Sequence, residues 1–327
     1  MSFDVTSIGR VLMDVIDYVP HNFLEKYNLI QGQGNVLTVD ILKQIKDELP
    51  EPKLFAGGAA GNSTEGIASL GGKAAFFGKG CSDNMGQAYK KAFTDKGVLY
   101  ATKLMEPDAS ANQATGRCIV LVTPDTDRTF ALTLGVCEHL IPEDIDETII
   151  KDSKVLFIEG QMLVAESARE AVLKAIDIAL KNEIKIAFNM HDLNFREHRV
   201  IDILPVIRDK SNILIGNERE IRSCFDLNEN DDVNDLLSHR KQILAMTKGG
   251  RGAVILNDEK QFFIPSENKK RIVDSTGAGD QFAAGLLFGI ARGYSLDKAG
   301  RLAATAAAEV LQHWGGRPET DLSQFVN

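Results

Sequence analysis

Cysteine is scarce: Cys81, Cys118, Cys137 and Cys224 are the only four in 327 residues, and they lie far apart. None forms a CxxC pair and none has a histidine at metal-ligand spacing, so neither a disulfide framework nor a zinc site is suggested. Buried thiols in a reducing compartment are the expectation. No run of about 18 apolar residues occurs anywhere. The start, Met1-Ser-Phe-Asp-Val, also lacks a basic stretch leading into an apolar one. These absences predict a cytoplasmic protein with no membrane partner. Positive charge is in the minority, with 37 Lys and Arg against 46 Asp and Glu, a net charge of -9, and no basic stripe. Nucleic-acid backbones are gripped by clustered cations, so no nucleic-acid partner is expected. An anionic ligand would instead need backbone N–H groups, a helix N-terminus and a bound cation. Low-complexity linkers and internal repeats are missing too, which argues against a chain of loosely joined units.

What remains is an ordinary globular composition, 44% hydrophobic and 25% charged, with ample material for a core. The length exceeds a typical domain, so one large α/β domain with an insertion, or two domains, are the starting alternatives. Short apolar, β-branched runs recur at Asp4 to Ile8, Ala74 to Phe77, Val155 to Ile158, Ile184 to Phe188, Ile213 to Ile215, Ile243 to Met246 and Ala253 to Leu256. Helical patterns fall between them, at Gly61 to Leu70, Met85 to Lys96, Ala165 to Lys181, Val200 to Arg208 and Glu218 to Phe225. Alternation of this kind predicts a mostly parallel sheet flanked by helices. Two regions, 11–38 and 98–134, break the pattern with alternating segments and turn signals such as Pro124-Asp125. They predict a small antiparallel sheet, inserted as a lid into a single domain spanning 1–327.

The sharpest chemical signal is Asp274-Ser-Thr-Gly-Ala-Gly-Asp280, between the strand-like Arg271 to Val273 and the apolar helical run Gln281 to Arg292. A turn built of Gly277, Ala278 and Gly279 at a helix start aims several N–H groups at one spot, where the helix dipole adds positive potential. Asp280, in the first helical turn, is placed to take a proton from an attacking hydroxyl while those N–H groups stabilise a transferring phosphoryl. The plainer alternative is a tight turn with Asp280 as a helix cap. Neither GxxxxGK[ST] nor a GxGxxG after the first strand is present, so the P-loop and dinucleotide readings lack their motifs.

Gly57-Gly58-Ala-Ala-Gly61-Asn62 precedes another helical run. Adjacent glycines admit a ligand close to the backbone, and the Asn62 amide both donates and accepts, as polyol recognition requires. The same residues also suit a loop feeding a helix cap. Asp14, just after the first strand, could accept from two hydroxyls, or be a solvated loop acid. Asn217-Glu-Arg-Glu220 opens a helix at a strand end. Asn217 and Glu220 could hold a hydrated Mg²⁺ beside ATP phosphates, or form a capping box. Thr247, Gly249 and Gly252 lie in a loop that could follow a nucleotide, or simply join two strands of a hairpin. His191, His198 and His313 have no ligand-like spacing and read as structural.

In this order along nearly the whole chain, Asp14, Gly57 to Asn62, Asn217 to Glu220, Thr247-Lys-Gly249 and Asp274 to Asp280 resemble the ribokinase family, also called PfkB-type carbohydrate kinases. The resemblance implies a Rossmann-like α/β fold with a β-sheet lid. It also implies ATP- and Mg²⁺-dependent transfer of phosphate to a hydroxymethyl group. Asp280 would be the base, Gly277 to Gly279 the anion hole, and Asp14, Gly57, Gly58 and Asn62 the ligands of substrate hydroxyls. Asn217 with Glu220 would join the Mg²⁺ and phosphate network, and Thr247 and Gly249 would touch the nucleotide. Within the family, the stretch from Asp14 to Leu29 and the segment Arg128-Thr-Phe-Ala-Leu-Thr-Leu134 resemble adenosine kinases, with Arg128 reaching the transferred phosphate from the lid. The tail from Ala306 to Pro318 is similar to bacterial adenosine kinase-like members, where the corresponding helix flanks the adenine of ATP. Two features point instead to a simple sugar. Gln161 stands where such adenosine kinases often place an aromatic residue, and Asp192-Leu-Asn194-Phe-Arg196 resembles fructokinase-like and ketodeoxygluconate kinase-like members. The leading expectation is phosphorylation of adenosine to AMP. A sugar kinase acting on fructose or ribose comes next, then a non-catalytic nucleoside or sugar sensor. Monomer or homodimer, and a need for a monovalent cation such as K⁺, are left open.

Overall fold

A computed structural model describes residues 2–108, 113–125, 127–190, 198–228, 231, 242–258, 260–268 and 270–326. Nine strands form the large sheet: β1 (Phe3–Ile8), β5 (Ala74–Phe77), β6 (Leu99–Tyr100), β9 (Ser153–Glu159), β10 (Lys185–Asn189), β11 (Ile213–Asn217), β12 (Ile243–Thr247), β13 (Ala253–Leu256) and β14 (Gln261–Ile264). Their spatial order is β14-β13-β12-β11-β10-β9-β1-β5-β6, and all neighbours are parallel except those made by β13. The mixed α/β architecture, mostly parallel and flanked by helices, is the predicted one.

Alternation along the strands explains why both faces are covered. Leu156, Ile158, Ile186 and Phe188 enter one core, with Ala171, Val172, Ala175 and Ile176 of α6 (Glu166–Lys181). Val155, Phe157 and Ala187, the residues between them, enter the other. That second layer holds α3 (Ala59–Ser69), α9 (Ala278–Ala291) and α10 (Leu296–Val310). Glycines let α9 and α10 cross closely: a Cβ on Gly285 would lie 2.5 Å from the Ala303 Cα, and one on Gly289 would lie 2.6 Å from the Ala299 Cβ.

Chain order runs outward from β1 to β5 and β6 on one side, then resumes at β9 on the other. The direction therefore reverses between β1 and β9, and open α/β sheets bind ligands beyond the carboxyl ends of strands at such a point. Gly9, Arg10 and Glu159 stand there.

The second sheet has the order β3-β8-β7-β2-β4, from β2 (Leu12–Tyr18), β3 (Gly34–Val36), β4 (Lys53–Ala56), β7 (Gly116–Val122) and β8 (Arg128–Thr133). It differs from the expectation in two ways. It is mixed, because β2 pairs in parallel with β7 and β3 with β8. The chain leaves β4 to build β5, α4 (Asn84–Asp95) and β6, then returns alongside β2 in the same direction. Its boundaries also move: α2 (Val39–Asp47) and β4 belong with it, whereas Leu99–Tyr100 joins the large sheet. Ile45 and Leu42 of α2, with Leu24 of α1 (His21–Lys26), cover the outer face through Val15, Ile119, Leu121 and Ala131. The remaining helices are α5 (Glu147–Lys151), α7 (His198–Lys210) and α8 (Glu218–Cys224).

Candidate active site

Asp280 is 5% exposed and sits in the first turn of α9. Gly277 caps that helix in the left-handed region, φ 75°, and a Cβ there would come within 2.3 Å of the Gly316 Cα. Conformation and space each demand glycine. Gly279 is different: a Cβ on it would meet nothing within 4 Å, so internal packing does not require the missing side chain. The opening N–H groups of a helix have no intrahelical acceptor, and only a long 3.4 Å bond joins the Ala278 N–H to the Ser275 carbonyl. The turn thus has the form of an anion cradle with open ground above it.

A second helix start converges on the same place. Asn62, in the first turns of α3, donates from Nδ2 to Asp280 Oδ2 at 2.9 Å, and Ser63 Oγ donates to the Asp280 carbonyl at 2.9 Å. Gly58 caps α3 at φ 81°, where a Cβ would meet the Arg10 carbonyl oxygen at 2.4 Å. A Cβ on Gly57 would fall 2.1 Å from Asp14 Oδ2. Asp14, Gly57, Gly58, Asn62 and Asp280 are therefore brought into one neighbourhood from β2, the β4–α3 loop, α3 and α9. The positive ends of two helices meet there and favour carboxylates in their ionised form.

Arg128, at the start of β8, crosses from the second sheet to the Asp274–Asp280 loop. Its Nη1 lies 3.4 Å from Asp274 Oδ1 and 3.3 Å from Thr276 Oγ1. Asp274 pins that loop by accepting from the Thr276 N–H at 2.9 Å and, with its other oxygen, from the Gly315 N–H at 3.1 Å.

Asn217 and Glu220 form a reciprocal capping box, with 2.8 and 2.9 Å bonds, at the carboxyl end of β11. Strand register sets Asn217 beside Thr247, whose Oγ1 contacts the Gly216 carbonyl at 3.5 Å. Gly249 has φ 57° and a Cβ there would enter open space. Gly252 has φ 87°, and a Cβ there would strike the Ile264 carbonyl oxygen at 2.1 Å, so the strand connection alone accounts for it. Among the described residues no three His, Cys, Asp or Glu side chains gather as a metal cluster. One carboxylate and one amide, both bonded to backbone N–H groups, fit a hydrated Mg²⁺ held chiefly by phosphate oxygens and water.

Several participants carried no motif. Arg317 donates to Asn62 Oδ1 (3.3 Å), Glu65 Oε2 (2.6 Å) and the Gly57 carbonyl (3.3 Å). Gln281 Nε2 bonds both the Asn62 and Gly316 carbonyls, at 3.0 and 2.8 Å. At the switch point Glu159 Oε2 accepts from the N–H groups of Arg10 and Ala60, and Arg10 reaches Gln161 (2.6 Å) and Glu138 (3.2 Å). The sequence signal was slight: Gly315-Gly316 before Arg317 in the tail. His313 bonds the Trp314 carbonyl and Glu309 at the end of α10, a structural role. The Asp192, Asn194 and Arg196 element and His191 lie outside the described residues, as does the side chain of His198. All four cysteines are buried, and burial pushes the Cys137 thiol up to about 12, so no reactive thiol enters the site. No described helix is long and apolar enough to cross a membrane.

Residues 3–321 match the pfkB family carbohydrate kinases. Among curated proteins, the chain is 25% identical over 324 residues to a 5-dehydro-2-deoxygluconokinase of Bacillus subtilis, covering 95% of this chain and 90% of that one. A Listeria innocua protein of the same name is 26% identical over 271 residues, 79% of this chain and 81% of its own. Among solved structures, adenosine kinase from Sinorhizobium meliloti superposes with a TM-score of 0.92 at 30% identity, covering 100% of this chain and 99% of that one. A probable sugar kinase from Rhizobium etli gives 0.90 at 31% identity, with 100% and 98% coverage.

Proposed function

The chain belongs to the pfkB family of carbohydrate kinases, a phosphotransferase acting on an alcohol group, and from that premise we propose that its acceptor is a nucleoside, adenosine first. The observation that carries this choice is the inner face of the second sheet. Asp14, Phe55 and Cys118 share one row of strand register, and Ile16, Val120, Phe130 and Leu132 continue that face towards Trp314. A carboxylate at one end suits ribose hydroxyls, and the half-buried aromatic surface beyond it suits a flat base. The 30% identity to an adenosine kinase over the full chain supports the same reading.

In the proposed reaction Asp14 and Asn62 hold ribose hydroxyls, and Asp280 takes the proton of the hydroxymethyl group. The alkoxide oxygen bonds to the γ-phosphorus of ATP as the bond to the β–γ bridging oxygen breaks, releasing ADP. N–H groups of Gly277 to Gly279 stabilise the charge on the phosphoryl oxygens, and Arg128 approaches from the second sheet acting as a lid. Asn217 and Glu220 orient the waters of Mg²⁺, which when bound neutralises phosphate charge. Thr247 and Gly249 lie along the nucleotide.

A second reading, a sugar kinase, draws on Arg10, Gln161 and Glu138, a polar cluster at the switch point in which Arg10 Nε is buried without a hydrogen-bond partner. Hydroxyl-rich ligands suit such a cluster better than a base does, and the curated relatives are named as 5-dehydro-2-deoxygluconokinases. ADP release measured with ATP, Mg²⁺ and a panel of adenosine, ribose, fructose and 5-dehydro-2-deoxygluconate decides between the two. Turnover confined to a sugar sinks the nucleoside proposal and leaves the family assignment standing.

A further inference from the structure

We propose that Arg317 is a positioning residue for the phosphoryl transfer: it fixes the Asn62 amide so that Asn62 can aim Asp280. This inference rests on the reading of Asp280 as the base. An Asn amide can turn over and exchange its oxygen and nitrogen, and only its partners decide which way it points. Here Arg317 Nε donates to Asn62 Oδ1 at 3.3 Å, and a guanidinium has no acceptor to offer the Nδ2 side. The amide N–H₂ must therefore face Asp280, where the 2.9 Å bond is found. One N–H and one oxygen lone pair of Asn62 stay available for a substrate hydroxyl.

The guanidinium itself has little freedom. Its side chain is 10% exposed, paired through Nη1 with the 7% exposed Glu65, and bonded through Nη2 to the Gly57 carbonyl. It also lies over the rings of Tyr89 and Phe93, 5.0 and 4.7 Å from their centroids. A single planar fork thus spans Glu65 and Asn62 of α3 and the glycine loop against which Asp14 rests. Lysine, a point charge without that fork, cannot hold these partners together.

Kinetics of the purified chain with ATP, Mg²⁺ and adenosine, or whichever sugar of the panel above supports turnover, test this. Arg317→Met should lower kcat by roughly 10- to 100-fold, as misaiming a base does, while KM for ATP changes little. Arg317→Lys should recover little of the loss. Since Arg317 acts through Asn62, adding Arg317→Met to Asn62→Ala should cost nothing further, whereas independent roles would multiply. Stability is separated by Glu65→Leu/Arg317→Met, which removes both buried charges and should restore much of the Tm lost in Arg317→Met without restoring kcat. Recovery of kcat along with Tm, or multiplicative losses with Asn62→Ala, would overturn the inference. Asp280→Asn is measured alongside. If it is inactive while the Arg317 tests fail, the base reading survives alone; if it keeps full turnover, or no acceptor of the panel is used, both fall.

Discussion

Asp280 is held by one amide, and that amide is held by one guanidinium, so the proposed chemistry depends on the orientation of a few polar atoms. Asp280→Asn keeps size and the ability to sit in the helix turn but cannot take a proton. Turnover should fall by about 10²- to 10⁴-fold, with ATP binding still measurable by titration calorimetry. Undiminished turnover would remove Asp280 from the mechanism. Its place in the Asp274 to Asp280 motif made it legible in the sequence, because glycines at a helix start have a local physical meaning. Arg317 was not legible in that way. Its contact with Glu65 spans 252 positions, and no pattern in a window of the chain encodes such a pairing.

The elements that aim these residues are α3 and α9, and α9 is located by its crossing with α10. Gly285→Ala would drive a methyl into the Ala303 backbone, 2.5 Å away, with no flexible side chain to yield. A loss of about 1–3 kcal/mol in denaturant unfolding is expected, with activity falling as α9 shifts; an unchanged midpoint would show that the helices can part without cost. Asp4 clamps β1 at its other end. Burial acts to raise its pKa, but Lys154, the Lys73 N–H and Arg292 outweigh this and hold the carboxyl below its ordinary 3.8. A depressed carboxylate contributes stability that is complete above the ordinary value and disappears as pH falls through the folded one. Asp4→Asn should therefore cost about 1 kcal/mol at neutral pH, a modest figure because Lys154 and Arg292 are half in water. The gap to the wild type should close in acid; a gap independent of pH would refute the assignment. The core strands of the large sheet were readable from their apolar runs. β4 and α2 were not, since Lys53 and Leu54 are both exposed and give no alternation, and α2 packs only on the small sheet.

At the scale of the molecule two sheets meet over one loop, and Arg128 is a bond between them. Arg128→Met should lower kcat by roughly tenfold or more while Tm moves little, since a partly exposed contact at 3.4 Å adds little to stability. A large fall in Tm with kcat intact would make Arg128 a structural tie instead. The order of motifs along the chain made the family legible, whereas the acceptor depends on how the second sheet faces the first, a relation set by long-range packing.

Gly316 lies under Gly277, and Arg317 reaches back to the segment following β4, so the final turn after α10 is woven into the proposed pocket. During synthesis this stretch emerges from the ribosome after nearly everything it supports. The nascent polypeptide can build its sheets and most of its helices early, yet it acquires catalytic competence only once its last segment is free to tuck in.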